Sequence, residues 1–280
     1  MHSVELSQNK RIELKQFHKI SASGNDFVLI DCLNFEREPS FISSDFIIKT
    51  CERRTGVGAD GLIILTSSES ADFQMNYYNS DGTRGEMCGN GARASFYYFY
   101  SKHQSKSKLT LLSDAGLQRG QILENGDVLL EIRAIRDEKK YDLSNLLNGS
   151  GYYIDTGVPH SVFEVDEIEE LDVLGLGRQI RNDKRFTNGT NVNFFSRENM
   201  SATIRTYERG VESETLSCGT GIAATAIFCF RKYSVSQLQI HSNGGDFITK
   251  VENDSGELIV SMSSGVTYHY KGELIDERYN

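Results

Sequence analysis

Cys88-Gly89-Asn90-Gly91 and Cys218-Gly219-Thr220-Gly221 are one tetrapeptide pattern, Cys-Gly-x-Gly, written twice in the same chain 130 residues apart. Each opens an apolar run with helical spacing: Phe96, Phe99 and Tyr100 after the first, and Ile222, Ala223, Ala226, Ile227 and Phe230 after the second. The spacing predicts a helix behind each motif and places each thiol at a positive helix end. There the unpaired backbone N–H groups and the macrodipole favour thiolate over thiol. The glycines let a carboxylate approach the same N–H groups closely. Two such thiols, one per half of the chain, point to a two-sided acid/base site. A lone cysteine at a helix start is as readily a small buried side chain; the twin motif is what shifts the reading.

The flanks of the two motifs correspond. Asn79 lies nine residues before Cys88 and Arg209 nine before Cys218, while Asp60 precedes Cys88 by 28 and Asn191 precedes Cys218 by 27. The upstream order is also repeated. Phe17 to Ile20, a turn over 21–26 and Phe27 to Ile30 read as strand, turn, strand; Ile154 to Phe163 reads the same way around Gly157 and Pro159. A helix is predicted from Ser43 or Ser44 to Cys51, and another within Val165 to Asn182. Leu62 to Leu65, Phe73 to Tyr78, Asn191 to Phe195 and Ala202 to Tyr207 read as strands, as do Val235 to Ile240, Asp246 to Glu252 and Leu258 to Met262. A duplicated unit explains this order, and two similar halves facing each other across a cleft would each present one helix N-terminus. The charge cluster Arg136-Asp137-Glu138-Lys139-Lys140 marks the boundary. It gives domains of 1–134, carrying Cys88, and 135–264, carrying Cys218, with 265–280 a candidate strand for completing the first.

Composition narrows the chemistry. The chain has 280 residues, 38% of them hydrophobic and 25% charged, which is a globular composition with room for two modest cores. No apolar run is long enough to span a bilayer, and Met1 to Gln16 is polar with mixed charge, unlike a signal peptide. A formal net charge of −9 argues against a nucleic-acid footprint. Five cysteines without CxxC or Cys/His ligand spacing form neither a disulfide framework nor a structural zinc site. A reducing cytoplasm fits them, and no metal is expected. Gly56-Val57-Gly58-Ala59-Asp60-Gly61 precedes a strand, whereas a dinucleotide fingerprint follows one. Cys32, Cys51 and Cys229 read as inert core.

Several polar residues stand near the repeated motifs. Asn25 lies in the first turn, where the bland role is a bond to its own turn. His160 follows Pro159 and is either structural or a general acid/base. Glu208-Arg209 closes a strand, and Arg209 there is suited to bidentate capture of a carboxylate.

Together these stretches resemble the PLP-independent diaminopimelate epimerases. The matching segments are Ser23-Gly24-Asn25-Asp26-Phe27, Gly56 to Gly61, Asn79-Ser80-Asp81-Gly82 with Cys88 to Arg93, Pro159-His160, Asn191-Val192-Asn193-Phe194, and Glu208-Arg209-Gly210 through Glu214 to Gly221. The resemblance implies an α/β fold of two pseudo-symmetric domains, each a mainly antiparallel sheet wrapped around a central helix, with the active site in the interdomain cleft. It implies cofactor-independent epimerisation of LL-diaminopimelate to the meso form, a lysine and peptidoglycan precursor, with Cys88 and Cys218 as the two bases. His160 and Glu208 would assist the thiols or orient the ammonium group. Gly89, Asn90, Gly219 and Thr220 would hold the reacting carboxylate, Asn25 would place the reacting end, and Asn79, Asn191 and Arg209 would hold the distal end. Three places depart from the family: Ser21-Ala22 stands where His-Gly is usual, Val158 where Asn is common, and Gly61 where some members have Gln. The alternatives are a racemase of another polar amino acid such as glutamate, a bifunctional enzyme, or a thiol-redox or ligand-binding relative. A small amino acid is the expected partner, without nucleic acid or membrane, and a homodimer is left open.

Overall fold

A computed structural model describes residues 16–85, 87–103, 106–134, 138–141, 147 and 151–275. The N-terminal polar stretch and residues 136 and 137 of the charge cluster lie outside them. The chain divides into two compact units, Met1–Val128 with Val266–Asn280, and Leu129–Gly265.

In the first unit, β1 (Gln16–Ala22), β2 (Asn25–Cys32), α1 (Ser44–Cys51), β3 (Gly61–Thr66), β4 (Phe73–Asn79) and β5 (Arg84–Gly85) precede α2 (Gly89–His103). β6 (Lys108–Ser113) and β7 (Gly116–Ile122) follow. In the second unit come β8 (Val128–Ala134, whose first residue ends the first unit), β9 (Glu138–Tyr141), β10 (Gly151–Asp155), β11 (Pro159–Glu164), α3 (Val173–Arg181), β12 (Asn191–Glu198), β13 (Ser201–Glu208), β14 (Ser213–Thr215), α4 (Gly219–Tyr233), β15 (Gln237–Ser242), β16 (Gly245–Asp254) and β17 (Glu257–Ser264). The last strand, β18 (Val266–Glu273), belongs to the first unit and pairs antiparallel with β1.

The strand pairing is the same in both units. In the first, β1–β2, β3–β4, β4–β5 and β6–β7 are antiparallel, and β2–β3 and β4–β6 are parallel. In the second, β10–β11, β12–β13, β13–β14 and β15–β16 are antiparallel, and β11–β12 and β13–β15 are parallel. The parallel steps are the two places where a helix intervenes in sequence, as a parallel crossover requires. Strand alternation then sends one set of side chains to each helix layer. Val28, Ile30, Leu62 and Ile64 pack with Phe46, Ile47 and Cys51 of α1. Val192, Phe194 and Tyr207 pack with Val173 and Ile180 of α3.

The opposite faces wrap the central helices. From Asn90 to Phe96 in α2, and from Gly221 to Cys229 in α4, every residue is buried. A helix buried on all sides belongs to a core rather than a surface, so these helices are more enclosed than the apolar spacing alone predicts. Phe96 of α2 meets Phe73 edge-on at 5.7 Å, and Phe228 of α4 meets Phe195 edge-on at 5.0 Å. Each fully buried ring contributes roughly 1.5–3 kcal/mol. The first turn is shorter than the sequence suggests, only Ser23-Gly24 with φ of 45° and 88°, a pair of positive angles that matches the twist of a two-residue hairpin. Among the described residues no helix is long and apolar enough to cross a membrane.

Candidate active site

In each unit the strand ends that flank the start of the central helix carry the polar residues. In the first unit these are the start of β2 at Asn25 and the end of β4 at Asn79, while the start of β3 carries only Gly61. In the second they are His160 near the start of β11, Asn191 at the start of β12 and Glu208 at the end of β13. Register refines the sequence offsets. Phe27 is opposite Gly61 as His160 is opposite Asn191, so Gly61, not Asp60, takes the place of Asn191 in the first unit.

Cys88 caps α2. Its carbonyl accepts from Ala92 N at 2.8 Å, and its Sγ accepts from Gly91 N at 3.4 Å. The sulfur thus sits where an N-cap oxygen ordinarily accepts, and the contact favours the anionic thiolate. The N–H groups of Gly89 and Asn90 lie in the first turn, which has no intrahelical acceptor for them. The Asn90 side chain is buried: its Nδ2 donates to Asn25 Oδ1 at 2.7 Å, and its Oδ1 accepts from Arg93 at 2.5 Å. Asn25 Nδ2 in turn donates to Asp60 Oδ2 at 3.1 Å. Asn25 therefore does not bond its own turn; it ties the β2 start to the helix.

This relay has fixed polarity, because Asp60 can only accept and Arg93 can only donate. Neither amide can turn over without setting like against like. Arg93 is almost wholly buried and its Nη2 also donates to Ser23 Oγ at 3.0 Å. Burial pushes its guanidinium down to about 10, against the attraction of Cys88 and Asp127. Arg53 anchors the outer end, donating to Asp60 at 2.6 Å and to both carboxylate oxygens of Asp26 at 2.8 and 3.1 Å. Partial burial would raise the Asp26 carboxyl, but hydrogen bonds from Arg53 and Lys19 hold it well below the usual carboxylate range. Asn79 donates to Thr83 Oγ1 at 3.0 Å and is half-buried at its strand end.

Cys218 caps α4, its carbonyl accepting from Ile222 N at 2.9 Å and its Sγ lying 3.5 Å from Thr220 Oγ1. The Thr220 carbonyl accepts from Thr156 Oγ1 at 3.3 Å, tying this first turn to the end of β10. Asn191 bridges two segments: Nδ2 donates to the Pro159 carbonyl at 3.2 Å, and Oδ1 accepts from Arg209 N at 2.8 Å. The Arg209 guanidinium is steadied by the Asn188 carbonyl at 3.0 Å. Val158, in the bend before Pro159, is apolar and half-buried. Burial raises the Glu208 carboxyl above its ordinary value, partly offset by the Thr215 hydroxyl at 3.0 Å.

His160 is fully buried within β11, not in a turn. Burial lowers its pKa to about 3, and nearby Arg209 adds to the effect against the Asn193 hydrogen bond. Its imidazole is neutral at physiological pH. His18, in β1, is likewise lowered to about 4 by burial, with Asp31 opposing. Unfolded, both have the ordinary value of 6.5. Below pH 6.5 the unfolded chain therefore binds protons that the folded chain refuses until about pH 4 at His18 and about pH 3 at His160, so stability is full above this window and is lost as pH falls through it. The expected slope is about 1.4 kcal/mol per pH unit for each histidine. Urea unfolding at pH 7 and pH 5 checks this; a midpoint unchanged between them contradicts it.

Burial pushes the thiols of Cys32, Cys51 and Cys229 up to about 12. They are core residues, as the sequence suggests. Asn193 and Asp60 are the site-forming residues whose roles the sequence did not disclose. The available signal was a polar residue two positions from Asn191, hence on the same strand face, within an apolar run.

The family model described as Diaminopimelate epimerase matches residues 17–133 and 152–268. The chain is 36% identical over 276 residues to the diaminopimelate epimerase of Aquifex aeolicus, covering 94% of this chain and 98% of that one. It is 40% identical over 216 residues to that of Flavobacterium psychrophilum, covering 76% and 80%. A phenazine biosynthesis protein of the PhzF family from Bacillus anthracis superposes with a TM-score of 0.74 over 93% of this chain and 99% of its own, at 15% identity. A hydroxyproline epimerase from Agrobacterium vitis gives 0.66 over 94% and 93%, at 12% identity. Those two structures show a shared fold.

Proposed function

Because the chain belongs to the diaminopimelate epimerase family and is an isomerase of that kind, we propose that it interconverts LL- and meso-diaminopimelate with Cys88 and Cys218 as its two acid/base groups. The observation that carries the reading is a cysteine capping the central helix of each of two units with the same strand pairing.

An α-proton of an amino acid is only weakly acidic, and without an electron sink the developing charge must be stabilised through the carboxylate. N–H groups of Gly89, Asn90, Gly219 and Thr220 are the donors for it, since first-turn N–H groups are fixed in direction and require no reorganisation when charge develops. One thiolate takes the α-proton and becomes a thiol; the other thiol gives its proton to the opposite face and becomes a thiolate. The stereocentre inverts, and the two cysteines end with their protonation exchanged. Asn25 places the reacting end. His160 and Glu208 assist at the thiols and the ammonium group, His160 in its neutral form. Asn79, Asn191 and Arg209 hold the distal end, with the Arg209 fork suited to the second carboxylate. The reaction takes place in the cytoplasm, where the thiols stay reduced, and its product feeds lysine or peptidoglycan synthesis.

Val158 supports a broader second reading, in which other polar amino acids are also racemised, because an isopropyl group next to Pro159, whose carbonyl accepts from Asn191, donates no hydrogen bond to a distal group. A panel of amino acids, LL-diaminopimelate and glutamate among them, assayed for stereoinversion separates the two. Turnover of LL-diaminopimelate is the expected result, and its absence across micromolar to millimolar substrate refutes the proposal.

A further inference from the structure

The apolar run of β12, Val192 to Phe195, is interrupted by Asn193, which is completely buried. It lies against the first turn of α4: a Cβ on Gly221 would fall 2.2 Å from Asn193 Oδ1. In the first unit the same place against the helix is taken by Ile63, whose Cδ1 is 3.4 Å from where a Cβ on Gly91 would fall. An apolar residue therefore serves the packing, and a buried amide there requires another reason, since it must be fully bonded to be tolerated.

The bonds supply one. Asn193 Nδ2 donates to the Ser161 carbonyl at 3.3 Å and faces His160 Nδ1 at 3.0 Å, while Oδ1 accepts from Thr206 Oγ1 at 3.1 Å. The Ser161 carbonyl can only accept, so it fixes which end of the amide faces β11. A donor facing Nδ1 requires a lone pair on Nδ1, which puts the proton of a neutral imidazole on Nε2. Nε2 is itself buried with no hydrogen-bond partner among the described residues. We propose that Asn193 is a positioning residue that holds His160 in the Nε2–H tautomer, so that the imidazole enters the reaction as a hydrogen-bond donor and not as a proton acceptor.

The tautomer is measurable without substrate, and only the kinetic arm of the test rests on the epimerase reading. In the full chain labelled with 15N-histidine, the His160 imidazole, identified by its loss in His160→Gln, is expected to show an unprotonated Nδ1 and a protonated Nε2. It is expected not to titrate between about pH 5 and 8. Asn193→Asp presents only acceptors to Nδ1 and is expected to put a proton there. It should lower kcat by about 10²- to 10⁴-fold, the range for general acid/base groups and for a catalytic histidine in the wrong tautomer, with KM within about threefold. A wild-type spectrum with Nδ1 protonated overturns the proposal, as does an Asn193→Asp protein with an unmoved proton or an unchanged kcat. Should that variant not fold, the wild-type spectrum alone decides. A wild type with the expected tautomer and no turnover upholds the tautomer assignment and refutes the activity.

Discussion

Alanine in place of Cys88, or of Cys218, is expected to lower conversion of LL- to meso-diaminopimelate by about 10³-fold or more while leaving the protein folded. Positioned acid/base groups are worth about 10² to 10⁴ in rate, and each direction of inversion needs both thiols, one to remove the proton and one to return it on the other face. A serine variant is no substitute, because its hydroxyl is far too weak an acid to rest as the anion. The control lies in the same chain. Cys51→Ala and Cys229→Ala remove thiols pushed up to about 12 in apolar surroundings, and are expected to cost about 1 kcal/mol of stability each with turnover unchanged. Chirality-resolved product assay and thermal unfolding of the four variants check this. A fully active Cys88→Ala or Cys218→Ala protein would falsify the two-base mechanism.

The next largest effect is expected from Gly221→Ala, and its asymmetry with Gly91→Ala is the informative part. On Gly221 the new methyl would sit 2.2 Å from Asn193 Oδ1 and 3.2 Å from its Cγ. Asn193 has no room to retreat, being bonded to His160, Ser161 and Thr206. Either the first turn of α4 or the buried amide must move, an overpacking cost of about 1–3 kcal/mol. Both carry the proposed carboxylate donors or the His160 contact, so kcat should fall by about 10²-fold. On Gly91 the nearest atoms are Cys88 Cβ at 3.3 Å, Ile63 Cδ1 at 3.4 Å and Cys88 Sγ at 3.6 Å. These are tight but a terminal methyl can shift, so the stability cost should stay under about 1 kcal/mol. Thermal unfolding with kcat and KM for both variants tests the ordering; equal losses would contradict it.

The fold was legible because its signal is local and repeated. Glycine turns, apolar strands and helix starts recur in the same order in both halves, and strand pairing reproduces that order. The duplicated Cys-Gly-x-Gly fixed which helices are central. What could not be read is carried by contacts between distant residues. Asn25 was expected to satisfy its own turn, yet its amide bonds Asp60 and Asn90, 35 and 65 residues away. His160 sits after a proline and reads as a turn residue, but it lies within a strand at full burial, which makes it neutral. The equivalence of Asp60 with Asn191 was off by one because offsets are counted along loops, whereas equivalence is set by register. Asn193 was hidden by its neighbour Asn191: spacing shows that both share a strand face, but not that one of them is wedged against a helix turn.

The central claim is that two groups, one for each face of the α-carbon, exchange protons with the substrate. It is tested most directly by following the first few per cent of conversion of LL-diaminopimelate in deuterium oxide and reading the isotope in substrate and product separately. A thiol whose proton has exchanged with solvent delivers deuterium only to the face it serves. The account predicts meso product carrying one α-deuterium while recovered LL substrate remains unlabelled. Product that retains the substrate's own α-hydrogen, or deuterium appearing equally in both pools from the outset, would contradict it.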